Sequence, residues 1–463
     1  MSVMTEDATL VYTPPQRRPD GRPDPVARSH RIVDWASAGV GLGMGATVGL
    51  AITAETRGSL TAPGGLATFG GRLAGLTGTY LLLIMVLLVA RIPFMERAVG
   101  QDRLLRWHRR LGQWPIYLLT AHGVLITVGY AEQARTGAWH QFGVLLTSYP
   151  DVLATTVGFG LLVMAAVTSI RAARRRMRYE TWWTVHLYVY LALALSFSHQ
   201  LATGASFVGH PLTRAVWSAM WAATAGLVVV YRFLVPVARS LRHGLRVVSV
   251  TPEAPGVVSI VVAGRKVEKL AVSGGQFFQW RFLTKGLWWQ AHPYSLSALP
   301  RPPYLRVTVK ALGDHSDTLR GLTLGTRVMV EGPYGTFTHH SRRADRVLLV
   351  GAGVGITPIR ALLEDLPPAV DVAVVVRASA TEDILFRHEM QGLLERRGGA
   401  LHEILGDRHT ARIDARALRR LVPDVAERDV YVCGPEGLTA SILSAARRLG
   451  VPEDRIHHEQ FAF

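Results

Sequence analysis

The sequence is poor in cysteine, in lysine and in charged residues altogether. Its 463 residues contain a single cysteine, Cys433, which excludes intrachain disulfide bonds and a cysteine-rich metal site. Charged residues make up only 18% of the chain, whereas soluble proteins usually carry about a quarter. Together with the 49% of hydrophobic residues, this excludes a disordered chain and a purely soluble enzyme.

The net charge of +17 comes almost entirely from arginine, because lysine occurs only at positions 266, 269, 285 and 310. A strongly basic chain is a candidate for nucleic-acid binding. The arginines, however, lie mainly in the N-terminal segment and in alternate short connections between apolar runs. That distribution is typical of membrane topology, so no nucleic-acid partner is expected.

Apolar runs of about 17–22 residues recur between positions 35 and 231, and each is long enough to cross a bilayer. We predict an all-α bundle of six transmembrane spans, at residues 35–54, 73–90, 111–131, 152–170, 181–202 and 215–231. The alternative, buried helices of a large soluble protein, would need six uncharged runs in succession.

The arginine-rich segments lie before span one and after spans two, four and six. The positive-inside rule therefore predicts a multi-pass protein of the plasma membrane with both termini in the cytoplasm. Residues 1–32 are polar, contain scattered proline and arginine, and lack the apolar core of a signal peptide. We expect them to form a disordered cytosolic tail.

Four histidines occur in or beside spans three and five, where polar groups are costly and need a reason. His108 and His122 are 14 residues apart, and His186 and His199 are 13 apart, which is about 20 Å along a helix. Because both spans cross in the same direction, His108 is level with His186, and His122 is level with His199. Two facing imidazoles at each of two depths predict two six-coordinate haems stacked across the bilayer.

The histidine pattern leaves alternatives open. A single histidine in a helix is more often a packed, hydrogen-bonded residue. Two residues that are 13 positions apart on a regular helix point in directions about 140° apart. Span five is therefore expected to be tilted or irregular, or to present its ligands from different sides. Zinc binding and proton relay also stay open, although neither span contains a carboxylate to complete them. Arg72 could contact an outer haem propionate or serve equally well as an interfacial arginine.

From residue 245 onward, short segments with period-two alternation predict a small antiparallel β-barrel, with strands at 246–250, 257–262, 276–282, 305–310 and 327–331. Three motifs accompany them. They are His292-Pro293-Tyr294-Ser295, Lys310 followed by Ser316 and Thr318, and a Gly-Pro-Tyr-Gly-Thr-Phe segment that contains Gly335 and Thr336.

The order and spacing of these motifs resemble the FAD-binding domain of the ferredoxin-NADP reductase superfamily. His292 stands where that superfamily has arginine, as in its ferric reductase and NADPH oxidase branch. The resemblance implies that Tyr294 and Ser295 line the isoalloxazine ring. Lys310, Ser316 and Thr318 can supply donors to the FAD pyrophosphate, and we expect a helix that starts near Thr318 to add its dipole.

A buried strand at residues 346–350 is followed by a glycine-rich turn and a helix, which is the phosphate-binding start of a doubly wound α/β sheet. The turn contains Gly351, Gly353, Gly355, Thr357 and Pro358. Its pattern is not the ordinary dinucleotide fingerprint, but it matches the same reductase superfamily. Arg377 ends the next strand, where a carboxylate would bind the ribose of NADH, and it favours NADPH unless it is a solvated surface residue.

Cys433-Gly434-Pro435 follows a further strand and resembles the Cys-Gly-Pro motif of the superfamily. The resemblance implies that the thiol approaches the nicotinamide, although a buried cysteine taken alone is more often inert packing. Phe463, at the end of the sequence, resembles the terminal aromatic residue that stacks on the flavin and moves aside for nicotinamide. A frayed hydrophobic end is the alternative for Phe463.

Taken together, residues 35–463 resemble the bacterial ferric reductase-like and NADPH oxidase-like transmembrane flavocytochromes. We predict a six-span domain at 33–238, an FAD-binding barrel at 241–342 and an NADP-binding domain at 343–463. The resemblance implies that electrons pass from cytosolic NADPH through FAD and two b-type haems to an acceptor outside the cytoplasm.

The electron acceptor is open at this stage. Oxygen, with superoxide as product, is favoured over a ferric chelate because the outer connections contain no acidic or histidine-rich loop, and His140 and His210 are isolated. A periplasmic partner protein or a quinone is a further option. A different class, a non-catalytic haem-binding membrane module with a degenerate reductase half, is disfavoured by the intact glycine, arginine, cysteine and phenylalanine positions.

Overall fold

The computed structural model describes residues 25–177, 179–311, 314–407 and 413–459. The predicted site residue Phe463 and most of the predicted tail lie outside these ranges. The tail nevertheless ends earlier than predicted, because the first helix begins at Pro25 rather than near residue 33. Proline is a favourable residue in the first turn of a helix, since its missing N–H has no partner there in any case.

The N-terminal half is helical. Its helices are α1 (Pro25–Thr53), α2 (Arg57–Thr61), α3 (Gly65–Leu88), α4 (Pro93–Val99), α5 (Gln101–Leu111), α6 (Gln113–Ala134), α7 (Ala138–Ser148), α8 (Val152–Ser169), α9 (Arg171–Arg174), α10 (Tyr179–Thr203), α11 (Pro211–Val229) and α12 (Val235–His243).

Within the described residues, five helical segments are long and apolar enough to cross a membrane: Val33–Thr53, Gly65–Leu88, Arg103–Ala134, Val152–Ser169 and Pro211–His243. The predicted fifth span is helix α10, which has 25 residues but is not among these five. The six-span count therefore stays a prediction. Large apolar side chains such as Leu42 and Val124 point outward, as expected for a surface that faces lipid rather than water.

Helix α3 lies at the centre of this half, since 56% of its apolar stretch is buried. In the other four candidate spans, the buried share is only 11–22%. Its glycines allow α6 to approach closely. A methyl group on Gly75 would lie 2.6 Å from Nδ1 of His122, so any larger residue there would displace the imidazole. Helices α8 and α10 form a second close pair, in which a methyl group on Gly158 would lie 2.9 Å from the carbonyl oxygen of Ala192.

The last apolar helix continues past the membrane through a π-helical turn, Val230–Leu234, into α12. Pro236 lacks an N–H, and its ring clashes with the carbonyl group four residues earlier, which belongs to Arg232. The widened turn accommodates that clash without ending the helix. Arg232 is thereby placed at the junction between the two halves of the chain.

The next part consists of two antiparallel sheets. One has the order β1-β2-β5, and the other has the order β4-β3-β6. The strands are β1 (Arg246–Ala254), β2 (Val257–Ala263), β3 (Phe277–Phe282), β4 (His292–Ser295), β5 (Tyr304–Lys310) and β6 (Val328–Tyr334). Isolated bridges join Arg246 to Arg327 and Leu296 to Val307, so the sheets meet along both edges. Their inward side chains form one core that includes Phe278, Trp280 and Phe282.

The C-terminal part is a parallel sheet with helices between its strands, as predicted. The strands are β7 (Arg346–Ala352), β8 (Asp371–Ala378), β9 (Ala400–Leu405), β10 (Asp429–Cys433) and β11 (Ile456–Glu459), in the order β11-β10-β7-β8-β9. The helices are α14 (Ile356–Asp365), α15 (Arg387–Glu395), α16 (Ala415–Leu421) and α17 (Glu436–Arg448). The strand order reverses between β7 and β10, and ligands of such sheets bind beyond the carboxyl ends of the strands at this point.

A chain of ion pairs holds the antiparallel part against the parallel sheet. Arg306 of β5 donates two hydrogen bonds to Glu389 of α15, at 2.7 and 2.8 Å. Arg360 of α14, only 5% exposed, pairs with both Glu389 and Glu364. Bidentate pairs of this kind restrict orientation as well as distance, so they fix how the two nucleotide sites face each other.

We expect Asp429→Ala to destabilise the parallel sheet. Asp429 is fully buried at the start of β10, and its carboxylate accepts hydrogen bonds from the backbone N–H of Arg343 and from His457. Removing this acceptor leaves buried donors unpaired, which costs about 2–4 kcal/mol and lowers the melting temperature of the full chain by roughly 10 °C. Asp345→Ala is the control, because that side chain is 98% exposed and should change the melting temperature little. Equal melting curves for the two variants would contradict the prediction.

Candidate functional site

The inner pair of histidines is in contact. His108 lies in α5, just before the span, and His186 lies in α10. Their ring centres are 6.2 Å apart with an angle of 74° between the planes. A metal–imidazole bond is about 2 Å long, and each ring centre lies roughly 1 Å behind its nitrogen, so two rings on opposite sides of one metal have centres roughly 6 Å apart.

The outer pair is His122 of α6 and His199 of α10. Helix α10 is an uninterrupted α-helix over both of its histidines. Of the options that the 13-residue spacing left open for span five, an irregular helix is therefore not observed. Both of its histidines reach the neighbouring helix α8, one near each end.

On the α3 side, each imidazole is oriented by a backbone carbonyl group. Nδ1 of His108 is 3.1 Å from the carbonyl oxygen of Met85, and Nδ1 of His122 is 2.8 Å from that of Gly71. A carbonyl oxygen can only accept a hydrogen bond. Nδ1 therefore carries the proton in both rings, and the lone pair lies on Nε2.

On the α8 side, hydroxyl groups lead to the same tautomer. Thr155 donates to the carbonyl oxygen of Leu195, so its Oγ1 can only accept from Nδ1 of His199, at 2.8 Å. The carbonyl oxygen of Ser196 lies at 2.8 Å from the same nitrogen.

The inner ligand of α10 follows the same rule. The hydroxyl of Ser169 donates to the carbonyl oxygen of Ala165 and accepts from Nε1 of Trp182. It can therefore only accept from Nδ1 of His186, which lies 3.4 Å away. All four histidines thus have the same tautomer, for independent local reasons.

This donor set fits haem iron. Metal-bound imidazole usually donates its second ring N–H to a carbonyl or another acceptor, which fixes the ring and leaves the other nitrogen for the metal. All four rings meet that condition. No such regularity is required of histidines that serve only as packing residues.

Arg72, the predicted partner of an outer haem propionate, pairs instead with Glu55 in the connection between α1 and α2. The Glu55 side chain is only 5% exposed. The sequence analysis missed this partner because the two residues are 17 positions apart, with Glu55 in a connection and Arg72 in α3.

In the antiparallel part, the motif His292–Ser295 forms strand β4, which the sequence analysis did not predict as a strand. His292 stacks at 6.3 Å on the ring of Tyr294, and Pro293 is exposed beside them. Ser295 is buried, and its hydroxyl oxygen has no hydrogen-bond partner among the described residues. An orphaned buried hydroxyl beside a half-buried tyrosine fits a ring system with polar edges, such as isoalloxazine.

The expectation that a helix starts near Thr318 is wrong. A single helical turn, α13 (Asp314–Thr318), ends there and contains Ser316. The chain then tightens into a 3₁₀ turn at Leu319–Gly321, because Leu319 is drawn fully into the core. Lys310 is exposed at the end of β5. Any contribution of Ser316 and Thr318 to pyrophosphate binding must therefore come from their own donors.

The motif with Gly335 and Thr336 touches the membrane half. The guanidinium of Arg91, which follows α3, lies 4.4 Å from the ring centre of Tyr334. A methyl group on Gly100, between α4 and α5, would lie 3.3 Å from the methyl carbon of Thr336. The connection after α3 therefore packs on the loop that the FAD resemblance singles out.

A cavity of about 140 Å³ lies at this junction. The membrane half lines it with Arg91, Trp183 and Arg232, and the strands line it with residues that include His292 and Glu331. The neighbour of Trp183 in the chain, Trp182, stacks on His186 at 5.2 Å. Of these two consecutive residues of α10, Trp183 thus lines the cavity beside His292, and Trp182 contacts a histidine of the inner pair.

The junction also holds an acidic group that the sequence analysis missed. Burial raises the pKa of Glu96 in α4 to about 7, and the charge of Glu331 adds to the increase, whereas Arg91 and Arg232 oppose it. The protonated form of Glu96 is therefore favoured more than that of an ordinary glutamate. Glu96 and Glu331 are far apart in the sequence and come near each other only in the folded chain, so no local motif could have indicated this group.

The predicted nucleotide residues meet at the carboxyl ends of β7 and β10. Gly351 pairs in register with Cys433, and Gly353 and Gly355 form a 3₁₀ turn that leads into α14. A methyl group on Gly355 would lie 2.4 Å from the carbonyl oxygen of Cys433, so the backbones could not approach this closely with any other residue. The first turn of α14 contains Thr357 and Pro358.

Cys433 is fully buried, and Gly434 and Pro435 follow it before α17. Burial raises the pKa of its thiol well above the usual value, and the charge of Glu459 adds to the increase. Cys433 is therefore a neutral thiol at physiological pH, not a thiolate nucleophile. Glu459, opposite Cys433 in β11, also approaches Gly335, and the sequence analysis did not single it out.

Arg377 is partly buried near the end of β8, beside the glycine turn, and one of its N–H groups donates to the carbonyl oxygen of Gly406 at 3.0 Å. This position agrees with the predicted place of the residue at a strand end. Phe463 lies outside the described residues, so its predicted position against the flavin stays a prediction.

Three segments of the chain match known families. Residues 74–197 match the ferric reductase-like transmembrane component, residues 248–338 an FAD-binding domain, and residues 349–443 the oxidoreductase NAD-binding domain. These matches cover most of the histidine helices up to residue 197, most of the antiparallel sheets, and the parallel sheet except β11, respectively.

Curated relatives include the glycine betaine monooxygenase reductase subunit of Pseudomonas aeruginosa, 29% identical over 36% of this chain and 50% of that protein. An NADPH oxidoreductase of Mycobacterium tuberculosis is 30% identical over 41% of this chain and 52% of that protein. A putative respiratory burst oxidase homologue of Arabidopsis thaliana is 28% identical over 28% and 17%, respectively.

The chain spans about half the length of the first of these relatives, so the relatives' own substrates do not transfer to it. The domain matches are more informative, because they place a membrane component and two nucleotide-binding components in one chain. The chain therefore joins a segment similar to the ferric reductase-like transmembrane component to segments similar to an FAD-binding domain and the oxidoreductase NAD-binding domain.

Proposed function

We propose that this protein transfers electrons from cytosolic NADPH through FAD and two b-type haems to oxygen on the other side of the plasma membrane, with superoxide as the product. The observation that carries the proposal is the common tautomer of His108, His122, His186 and His199, which leaves Nε2 of each ring for a metal. FAD would supply the conversion of a hydride into single electrons, which haem iron accepts one at a time.

The residues of the nucleotide end would bind and orient NADPH. The glycine turn from Gly351 to Pro358 offers backbone close to the pyrophosphate, and Arg377 offers a charge for the 2′-phosphate. The neutral thiol of Cys433 would face the nicotinamide without attacking it. Gly434 and Pro435 would continue this wall, and Phe463 would cover the flavin until nicotinamide displaces it.

The flavin end would use His292, Pro293, Tyr294 and Ser295 for the ring system. Lys310, Ser316 and Thr318 would contact the pyrophosphate, and Gly335 and Thr336 would line the opposite side. The orphaned hydroxyl of Ser295 supports this assignment. Arg91 and Trp183 line the cavity beside His292 from the membrane half, and this supports a route for electrons from FAD toward the inner histidine pair.

Oxygen is the proposed acceptor because one relative is named a respiratory burst oxidase homologue, and because the outer connections contain no acidic or histidine-rich loop for iron.

Both termini would lie in the cytoplasm. The proposed units are a six-span domain at 33–238, an FAD domain at 241–342 and an NADP domain at 343–463, with Arg72 near the outer haem. The membrane half would lie in the lipid bilayer. Protein partners are not part of the proposal.

The central test uses the purified full chain with NADPH. Cytochrome c reduction that superoxide dismutase abolishes, with negligible ferrous-chelate formation under nitrogen, is the expected result. Rapid anaerobic iron reduction would replace oxygen with a ferric chelate as the acceptor. Failure of NADPH to bleach the flavin absorbance would leave only a non-catalytic haem-binding module.

We expect His199→Ala to lower the haem content from two haems per chain to one, because the proposed outer haem would lose one of the two histidines that would hold it. The measurement is the ratio of pyridine haemochrome to protein. His210→Ala is the control, since that histidine is exposed and lies between α10 and α11. A haem ratio that is unchanged in His199→Ala would contradict the assignment of the outer pair.

We expect Arg377→Ala to lower kcat/KM for NADPH about ten- to hundred-fold and to leave the value for NADH nearly unchanged. A hydrogen bond to a charged group contributes about 1.5–3 kcal/mol, which corresponds to this range. Arg346→Ala, at the opposite end of the sheet, is the matched control. Equal losses with both nucleotides would show that Arg377 acts on the fold rather than on the 2′-phosphate.

A further inference from the structure

Helix α8 contributes none of the four histidines, yet it contacts both histidines of α10. Its hydroxyl groups Thr155 and Ser169 lie 14 residues apart, and each approaches Nδ1 of one histidine. The opposite side has no equivalent side chains, since Met85 and Gly71 use backbone carbonyl groups. The two ligand helices are thus held by chemically different partners.

The hydroxyl groups are themselves fixed. Thr155 donates to the carbonyl oxygen of Leu195 on α10 at 3.1 Å, so its lone pairs face His199. Ser169 donates to Ala165 at 2.7 Å within α8 and accepts from Nε1 of Trp182 at 3.1 Å. Neither hydroxyl group can rotate to donate to a histidine without losing an existing hydrogen bond.

Neighbouring hydroxyl groups of α8 lack this contact. Thr156 donates to the carbonyl oxygen of Val152 at 2.8 Å, and Thr168 donates to that of Met164 at 2.8 Å. Both bonds stay within α8, as is usual for threonine in an apolar helix. The contacts of Thr155 and Ser169 with α10 are therefore not a general property of hydroxyl residues in this helix.

We infer that α8 is a positioning helix, in which Thr155 and Ser169 accept from Nδ1–H of the two iron ligands on α10 and set their orientation. The inference rests on the proposed function, because it assigns these roles toward bound haem. An acceptor on Nδ1–H makes imidazole a stronger donor to a metal and holds its plane. Thr155 would act on the outer haem through His199, and Ser169 on the inner haem through His186.

The test compares the purified full-length Thr155→Val and Ser169→Ala variants with the controls Thr156→Val and Thr168→Val. The readouts are the low-spin electron paramagnetic resonance signals of the oxidised haems and a potentiometric titration of the reduced absorption bands. Thr155→Val leaves the Ser196 carbonyl group as an acceptor. Its main signature should therefore be a shifted resonance signal of one haem, caused by a reoriented ring.

Ser169→Ala removes the described acceptor of His186, so the midpoint potential of the other haem should rise, because a weaker donor stabilises ferric iron less. Both control variants should match the wild type in both readouts. Selective loss of one haem in Thr155→Val or Ser169→Ala would also support the inference, provided that the controls keep both haems.

Variants that are indistinguishable from their controls would overturn the inference while the proposed function stands. Loss of both haems together in Thr155→Val or in Ser169→Ala would indicate a general structural role and would also overturn it. A wild-type protein without two low-spin haems would refute the proposed function, and the inference with it.

Discussion

The hydrogen bonds on Nδ1 of four imidazoles are the constraint on which the membrane half depends. Each ring has an acceptor on a helix other than the one that carries the histidine: α3 for His108 and His122, and α8 for His186 and His199. His199 also has the carbonyl oxygen of Ser196 on its own helix. A buried imidazole without any partner would be costly in an apolar bundle. The bonds between helices therefore satisfy the rings, hold neighbouring helices together and leave the lone pair of each ring on Nε2.

One end of this bundle is shaped to meet the strands. Arg91 stacks on Tyr334, Arg232 is brought to the junction by the π-helical turn, and Trp183 lines the cavity that His292 also lines. On the far side of the strands, Arg306 and Glu389 join them to the parallel sheet. Each nucleotide-binding part thus contacts its neighbour through arginines, whose planar, permanently charged groups suit both stacking and bidentate pairing.

Much of this organisation could be predicted from local patterns, because it follows from helix rise, strand alternation and glycine spacing. The pairing of His108 with His186 is an example, since a rise of 1.5 Å per residue suffices to level them. Thr155, Ser169 and Glu96 could not be predicted, because their roles depend on which helix packs beside them. The start assigned near Thr318 was wrong because the burial of Leu319, a tertiary effect, ends the helix there.

The unbroken helical segment Pro211–His243 has a consequence for how the protein sits relative to its surroundings. Its 33 residues measure about 50 Å, whereas the hydrocarbon layer is about 30 Å thick. The segment is thus roughly 20 Å longer than such a layer is thick. Only two residues separate its end from the first strand, so the length of this helix fixes how far the strands lie from its apolar beginning.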